Sequence, residues 1–344
     1  MLMTKIIINK KKIIDNYKYY KKKDQITICV VKSNGYGTNI KKIVSILSKN
    51  NIDHYAVFTL KEARQIRKIN KDCFILLLNS VESTNLKFCI ENNITITINS
   101  FEDYKMLINY HYQGGVHIKY DTGMHRYGVN KSELYKIVND NKLFINGIFS
   151  HLIGGKEYIK EIKSQIETFD KTLMKIDTRN MLIHITSTNS CDIVKSKYQN
   201  AIRIGMGLYG FINHINPAIS LRLPICMKKK IQKNECCSYN NSFIAGDDGY
   251  IYVIPLGYHN MLLPNTKINV KGFKNAGDIC MNCLLLFSKK LYRKKAITLN
   301  GYDLLKICKD NSYSIYWLLS SFISWTSAST TSLFSLVSFL SSIS

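Results

Sequence analysis

A lysine directly after a buried strand is the first residue of this chain whose position suggests chemistry. Residues 26–31 are apolar and mostly β-branched, which predicts a buried strand, and Lys32 follows them. A turn of Ser, Asn and Gly comes next, and then a segment with Ile40 and Leu47 on one helical face. Strands in α/β barrels carry their reactive groups at this end. A lysine there with a lowered pKa could form a Schiff base with a carbonyl compound, although an isolated strand-end lysine is more often solvated.

Polar and charged side chains also follow four later apolar runs. These side chains are Lys119 and Arg126, then His151, then Thr188, and finally Arg203 with the adjacent Gly205 and Met206. Taken singly, each would be an ordinary strand-end or surface residue. Because the carboxyl ends of parallel strands meet at one end of a barrel, we expect the set to surround one space that suits an anionic ligand.

The elements that must position these residues alternate regularly along the chain. The predicted strands are 26–31, 55–58, 74–78, 94–98, 116–120, 145–150, 182–186 and 201–204. The predicted helices between them include 60–69, 100–109, 131–139 and 156–176. Eight strand–helix repeats predict an α/β fold with an N-terminal (β/α)₈ TIM-type barrel over residues 1–226.

A different sequence pattern begins after residue 226. A basic link at 227–233 leads into short strands separated by Asn-rich and Gly-rich turns, which predicts a mostly β C-terminal domain over 227–310. Residues 311–344 have no charged side chain and are rich in Ser. Their apolar residues are too diluted by hydroxyls for a membrane span, so we expect a tail of unknown structure and no membrane attachment.

The composition restricts the function. A formal charge of +24 raises the possibility of a nucleic-acid binder, but the lysines are scattered and accompany no nucleic-acid-binding motif. We therefore expect a solvated basic surface and no nucleic-acid partner. The ten cysteines are dispersed and the N-terminus lacks a signal peptide, which favours a reducing, cytoplasmic setting. Their spacing gives no convincing ligand set, so we expect no metal site.

Three motifs together resemble one family. They read VVKSNGYG around Lys32, KYDTGMHRYG from Lys119 and RIGMGLYG from Arg203. The chain resembles bacterial alanine racemases, which are fold-type III pyridoxal-phosphate (PLP) enzymes, over about residues 5 to 287. The resemblance implies conversion of L-alanine to D-alanine for peptidoglycan by two bases. Lys32 would hold PLP and act as one base, and Tyr239 in the β domain would act from the opposite face.

The resemblance also implies roles for the other candidate residues. Arg203 would face the pyridine nitrogen, and Arg126 would bind the substrate carboxylate or the cofactor phenolate. Lys119 matches a lysine that is carbamylated in the family, and His151 would lie beside the cofactor. The phosphate would be bound by Tyr36, Thr188, Gly205 and Met206.

Substrate binding in this family involves two subunits, which implies a homodimer. Tyr258 and Met281 would approach the amino-acid substrate from the second subunit. Asn282 replaces the family's Asp, and the family's closing segment with its phosphate-binding Tyr is unrecognisable in this chain. The alternatives are therefore a weakened or inactive PLP-binding homologue and a racemase of another small amino acid such as serine.

Overall fold

The computed structural model describes residues 4–212, 215–260, 262–315 and 318–319. These residues form two compact units. One unit spans 8–219, and the other takes in the described parts of 1–7 and of 220 onward. The domain limits predicted at residues 226 and 310 stay predictions, and most of the predicted tail lies outside the described residues.

The first unit contains the predicted barrel. Eight parallel strands lie in one sheet, in which the first seven are each hydrogen-bonded to the next in chain order and the first also pairs with the eighth through Ile26 and Ala201. The gap between the seventh and eighth strands is bridged by hydrogen bonds from Asn200 to Ile183 and from Arg203 to Thr186. The first to eighth barrel strands are Ile26–Val30, His54–Val57, Phe74–Leu77, Ile94–Ile98, Gly115–Lys119, Phe144–Phe149, Leu182–His184 and Ala201–Ile204.

Helices separate the first seven of these strands, turns connect the seventh to the eighth, and polar residues fix where several of the helices begin. Thr59, Ser100 and Asn130 each accept a backbone N–H of the first turn, while a Glu or Asp of that turn accepts the cap's own N–H. The helices of this unit are Lys10–Tyr20, Ile40–Ser48, Leu60–Arg67, Leu86–Glu91, Phe101–Asn109, Lys131–Asn139, Ile159–Leu173 and Met206–Tyr209. The predicted alternation, and with it the barrel fold, is confirmed.

Small and β-branched residues fill the barrel interior. Ile28, Val30, Ala56, Leu76 and Ala201 form one buried cluster there. Side chains on a strand alternate between its two faces, so the strand-end residues that follow these core positions can point toward the barrel mouth.

The second unit is mostly β, as predicted. Its strands are Lys5–Ile8, Ile219–Pro224, Met227–Ile231, Cys236–Cys237, Phe243–Ile244, Gly249–Ile254, Asn269–Val270, Phe273–Asn275, Leu284–Ser288 and Ala296–Leu299, and it ends with the helix Gly301–Asp310. The segment expected to be a basic link is instead the strand Met227–Ile231, which pairs antiparallel with Gly249–Ile254. Its Lys residues are exposed, and Ile231 enters a core with Phe243 and Phe287. No helix among the described residues is long and apolar enough to cross a membrane.

Candidate active site

The turn after the first barrel strand holds Lys32 at the strand's carboxyl end. Ser33, Asn34, Gly35 and Tyr36 all have positive φ, between 50° and 68°, so the chain makes a short left-handed turn. Each non-glycine residue in this conformation costs roughly 1–2 kcal/mol. Such strain persists only where the surroundings fix the backbone, and this is typical of functional loops.

Buried polar groups fix that turn. A Glu62 carboxylate oxygen accepts the Asn34 N–H at 2.8 Å, and the Asn34 side chain accepts the Ile40 N–H at 3.0 Å. The Gly35 carbonyl accepts hydroxyl hydrogen bonds from Thr38 at 2.6 Å and Tyr209 at 2.7 Å. The position of Lys32 is therefore set by contacts with three other elements of the barrel.

The surroundings of Lys32 favour the neutral form of its amine over the charged form. Burial lowers the pKa of Lys32, and the nearby guanidinium groups of Arg126 and Arg203 lower it further, against a smaller opposing effect of Glu62. A neutral amine is the form that attacks a carbonyl carbon.

Arg203 is buried in the barrel mouth with only 4% of its surface exposed. Its Nη1 donates to the Nδ1 and the carbonyl oxygen of His184. Its Nη2 donates to the carbonyl oxygens of Ser150 at 2.7 Å and Ile185 at 3.3 Å, and to His151 Nδ1 at 3.3 Å. Burial lowers the pKa of Arg203 to about 9, which leaves the guanidinium charged at neutral pH. Arg203 is thus a fixed cation whose terminal nitrogens are fully engaged with the protein.

Three imidazoles lie around this arginine, with His117 and His184 fully buried and His151 partly buried, and all are neutral. Burial, reinforced by the charge of Arg203, lowers the pKa of His151 and of His117 to about 3. The same two causes, with a smaller contribution from His117, lower the pKa of His184 well below its usual value. A neutral ring can accept a hydrogen bond, which a charged one cannot.

The loop after the fifth barrel strand carries the second cationic group. The Asp121 carboxylate accepts the backbone N–H groups of Gly123, Met124 and His125 at 3.0–3.1 Å, which shapes the loop. Burial alone would raise the pKa of Asp121, but these hydrogen bonds outweigh it and the pKa is lowered. The loop exposes Arg126, whose charge reaches Lys32 and His151.

Lys119 ends the same strand and is almost fully buried. Its Nζ lies 5.0 Å from the ring centre of Tyr127. Burial lowers the pKa of Lys119 to about 8, and Arg126 and Arg203 add to the effect. An appreciable share of this amine is therefore neutral near pH 7.5.

The loops after the last two strands form a small cradle. The Thr188 hydroxyl accepts the N–H of Gly205 at 3.1 Å and of Gly207 at 3.4 Å, which leaves its proton able to donate. A Cβ added at Gly205 would collide with the Tyr36 hydroxyl. Gly205 therefore keeps Tyr36, Thr188 and the backbone before Met206 close together, at a place where barrels commonly bind phosphate.

The nine barrel residues predicted from the sequence thus lie on the strand ends and loops of one unit. These residues are Lys32, Tyr36, Lys119, Arg126, His151, Thr188, Arg203, Gly205 and Met206. The other three predicted residues belong to the second unit. Tyr239 is 66% exposed, Tyr258 43% and Met281 52%, so each presents its side chain to the surroundings of that unit.

Tyr258 and Met281 occupy neighbouring loops of the second unit. The backbone N–H of Tyr258 donates to the carbonyl of Cys280 at 3.1 Å, and that of His259 donates to the carbonyl of Met281 at 2.9 Å. A Cβ at Gly257 would collide with both of these carbonyls. The close approach allowed by this glycine holds the two predicted substrate residues side by side.

His117, His184 and Glu62 were not predicted from the sequence. Strand alternation could have found His117, because it lies two residues before Lys119 and so shares its face. His184 could have been found at the equivalent end of the seventh strand. Glu62 was recognisable only as a helix-capping residue, and its contact with the Lys32 turn depends on tertiary packing.

A half-buried lysine with a lowered pKa, a buried guanidinium and a small polar cradle lie at one barrel mouth, a combination typical of barrels that bind PLP through a lysine. Comparisons with known proteins specify the family. Residues 8–213 match the model of the alanine racemase N-terminal domain, and residues 218–309 match that of the alanine racemase C-terminal domain. The chain belongs to the alanine racemase family and is accordingly a PLP-dependent racemase, an isomerase.

Individual relatives agree with this assignment. The chain is 27% identical to an alanine racemase of Staphylococcus epidermidis over 310 residues, which are 82% of this chain and 81% of that protein. It shares its fold with an alanine racemase of Bartonella henselae solved with covalently bound pyridoxal phosphate, at a TM-score of 0.80 and 20% identity, over 94% of this chain and 98% of that one. A histidine racemase of Leuconostoc mesenteroides has the same fold, at a TM-score of 0.79 and 18% identity, over 93% and 95% of the two chains.

Proposed function

We propose that this protein racemises alanine with PLP held by Lys32, and that it supplies D-alanine for peptidoglycan in the cytoplasm. The observation that carries the proposal is the lowered pKa of Lys32 beside two guanidinium groups. A solvated lysine is almost entirely protonated at neutral pH, so only a very small fraction of it can attack a carbonyl. Cations alone would suit any anion, but an amine with a lowered pKa among them suits a phosphorylated aldehyde.

The residues of the barrel mouth fit this cofactor. Lys32 would hold its aldehyde carbon, and the cradle of Tyr36, Thr188 and Gly205 would receive its phosphate with the Met206 backbone. Arg203 would face the ring nitrogen and His151 would lie beside it. When bound, PLP supplies the electron sink that makes the Cα proton of an amino acid acidic. Because a guanidinium only donates, Arg203 would leave the ring nitrogen unprotonated and favour racemisation over side reactions.

Two bases on opposite faces are needed to invert a carbon centre. Lys32 Nζ would exchange a proton with Cα on one face, and the Tyr239 hydroxyl oxygen would do so on the other. Arg126 would bind the substrate carboxylate, or the cofactor phenolate, by charge-assisted hydrogen bonds. The high exposure of Tyr239 supports this role, since a second base must be accessible to the substrate.

Carbamylation of Lys119 would place a negative charge among the cations of the barrel mouth. The neutral amine would add to the carbon of carbon dioxide, forming an N–C bond as one C=O π bond opens and one N–H proton is released, so that a neutral amine becomes a carbamate anion. The pKa of about 8 supports this step, because only the unprotonated amine reacts. The resulting anion would hold the exposed Arg126 in place.

We further infer a homodimer whose active sites are shared. Tyr258 and Met281 would reach the substrate of the partner subunit. Tyr258 and Met281 are exposed, and backbone hydrogen bonds hold their loops together. Both observations support a preformed surface for binding the substrate of the partner subunit.

The proposed function has two alternatives, one in the substrate and one in whether the protein turns over at all. A histidine racemase has the same fold, which supports a substrate other than alanine, and serine or another small amino acid is the second candidate. A PLP-binding homologue with weak or no turnover is the third, because Asn282 and the altered closing segment depart from the family.

The first experiment mixes the purified chain with PLP and L-alanine in deuterium oxide. We expect deuterium at Cα together with the appearance of D-alanine. The same reaction with L-serine and L-histidine ranks the substrates. Cofactor binding without exchange from any of the three would refute turnover and favour the inactive homologue.

A further inference from the structure

Arg203 does not stand alone in the barrel, because two histidines continue its hydrogen bonds into the core. Arg203 Nη1 contacts His184 Nδ1, and His184 Nε2 lies 3.1 Å from His117 Nδ1. His117 and His184 are both fully buried. The three side chains therefore form one chain of hydrogen bonds that leads away from the barrel mouth.

The direction of this chain follows from the arginine. A guanidinium has no acceptor, so His184 Nδ1 must accept and the proton of His184 must be on Nε2. That proton is donated to His117 Nδ1. The proton of His117 must then be on its own Nε2.

The end of the chain is a buried donor without an acceptor. Nε2 of His117 has no hydrogen-bond partner among the described residues. Leaving such a group unpaired in the interior costs about 1–3 kcal/mol. A cost of this size in a native core calls for an explanation, and the direction of the chain supplies one. Turning the His117 ring over would put a ring carbon where Nδ1 now lies, and the hydrogen bond from His184 Nε2 would be lost.

The surroundings hold the rings in this arrangement. A Cβ at Gly147 would collide with the His117 ring at Nε2, so only glycine leaves room for it. The ring of Phe149 stacks on His184 with centres 4.8 Å apart, and the Arg203 guanidinium carbon lies 5.2 Å from the same ring's centre. Packing and hydrogen bonds thus fix one geometry.

We propose that His117 and His184 are positioning residues that fix the direction of Arg203, with Gly147 providing the space for His117. The inference rests on the proposed function, because Arg203 acts on the cofactor ring only if PLP binds at Lys32. Nη1 and Nη2 of Arg203 are occupied by protein acceptors, and no hydrogen bond of Nε is found within the described ranges. The hydrogen-bonded chain of Arg203, His184 and His117, here called the relay, would thereby leave Arg203 Nε–H as the donor directed to the cofactor.

The direct test is nitrogen-15 NMR of the full chain labelled at histidine, with and without PLP. The chain has eight histidines, so the signals can be assigned with single variants. We expect His117 and His184 to be neutral with the proton on Nε2 in both states. A Nδ1–H form or a charged ring at His184 in the unchanged chain would overturn the relay, whether or not PLP binds.

Variants then test whether the relay acts on Arg203. His117→Phe removes the acceptor for His184, whereas His117→Asn keeps an oxygen near the position of Nδ1. We expect His117→Phe to lower kcat about tenfold with little change in KM, and His117→Asn to restore most of it. Gly147→Ala, which displaces the His117 ring, should resemble His117→Phe both in kcat and in the His184 NMR signal.

The matched control is Thr97→Val. Thr97 is a buried strand residue that donates to the Leu77 carbonyl at 2.7 Å, so its loss also removes one internal hydrogen bond. We expect it to lower stability without altering kcat or the His184 signal. An unchanged His184 signal and an unchanged kcat in His117→Phe would refute the positioning role. Failure of the unmodified chain to bind PLP would instead refute the proposed function and leave the NMR result standing.

Discussion

The barrel unit and the second unit present their predicted site residues in opposite ways. In the barrel, Arg203 is buried and Lys32 is half-buried, and hydrogen bonds from several elements set their positions. In the second unit, Tyr239 and Met281 are exposed and lie on short turns. Burial changes the charge state of a group, whereas exposure leaves it available for a partner. We therefore expect the barrel to set the cofactor chemistry and the second unit to act on substrate.

The strongest test of this division is Lys32→Ala. Without its amine the barrel cannot attach PLP covalently, so we expect activity to fall by a factor on the order of 10⁴. Borohydride reduction followed by peptide mass analysis should locate PLP on Lys32 in the unchanged chain and nowhere in the variant. Lys119→Ala is the matched control, since Lys119 also has a lowered pKa. Covalent PLP on another lysine in Lys32→Ala would contradict the assignment.

Tyr239→Phe tests the second unit in the same terms. The variant should keep PLP bound, because no barrel residue changes. Proton removal from L-alanine should fall by roughly 10²–10³ relative to that from D-alanine, the size typical of a lost general base. Deuterium exchange at Cα, measured separately for each enantiomer, gives this ratio. Tyr250→Phe changes another tyrosine of the same unit and should have no effect, and equal losses for both enantiomers in Tyr239→Phe would refute a two-base role.

The same contrast explains what the sequence could predict. Each barrel strand was predicted to within a residue or two, because buried parallel strands form continuous apolar runs. The second unit was predicted only as mostly β. The strand Met227–Ile231 was not predicted, because only Ile231 among its residues is buried. One buried residue is too few to show the alternating apolar pattern of a strand.

The candidate site was predictable to the extent that it follows strand ends. Those positions singled out Lys32, Lys119 and Arg203 by residue type and motif. The left-handed turn after Lys32 and the support of Glu62 depend on packing between distant segments, which no local pattern encodes. The arrangement of His117 and His184 likewise required coordinates, although alternation marked His117 as a neighbour of Lys119.

Acidification provides a smaller test that should act on the barrel first. The pKa of His117 and of His151 is about 3 in the folded chain, and histidine in an unfolded chain titrates near 6.5. The unfolded state thus binds more protons between these values. The free energy of unfolding should fall as the pH drops below 6.5, by about 1.4 kcal/mol per pH unit for each histidine.

Denaturant unfolding at several pH values between 5 and 7 would measure this slope. We expect His117→Asn to reduce it by one proton. Thr97→Val removes no titratable group, so it should leave the slope unchanged. A slope in His117→Asn equal to that of the unchanged chain would show that His117 is not a buried neutral ring.

The smallest expected effect concerns the phosphate cradle and separates cofactor affinity from turnover. Thr188→Val keeps the shape but removes the hydroxyl that accepts the N–H groups of Gly205 and Gly207. Losing one such hydrogen bond costs about 1 kcal/mol, so we expect PLP affinity to weaken about fivefold.

Thr188→Ser is the matched control because it keeps the hydroxyl and loses only the methyl group. Titration of the apoprotein with PLP, followed by absorbance, gives both dissociation constants. Turnover at saturating PLP should be nearly unchanged in both variants, because the hydroxyl holds the phosphate and does not touch the reacting carbon. If Thr188→Val bound PLP as tightly as Thr188→Ser, the cradle would not be the phosphate site. If turnover fell at saturating PLP, the barrel's role would extend beyond holding the cofactor, and the contrast between the two units would have to be redrawn.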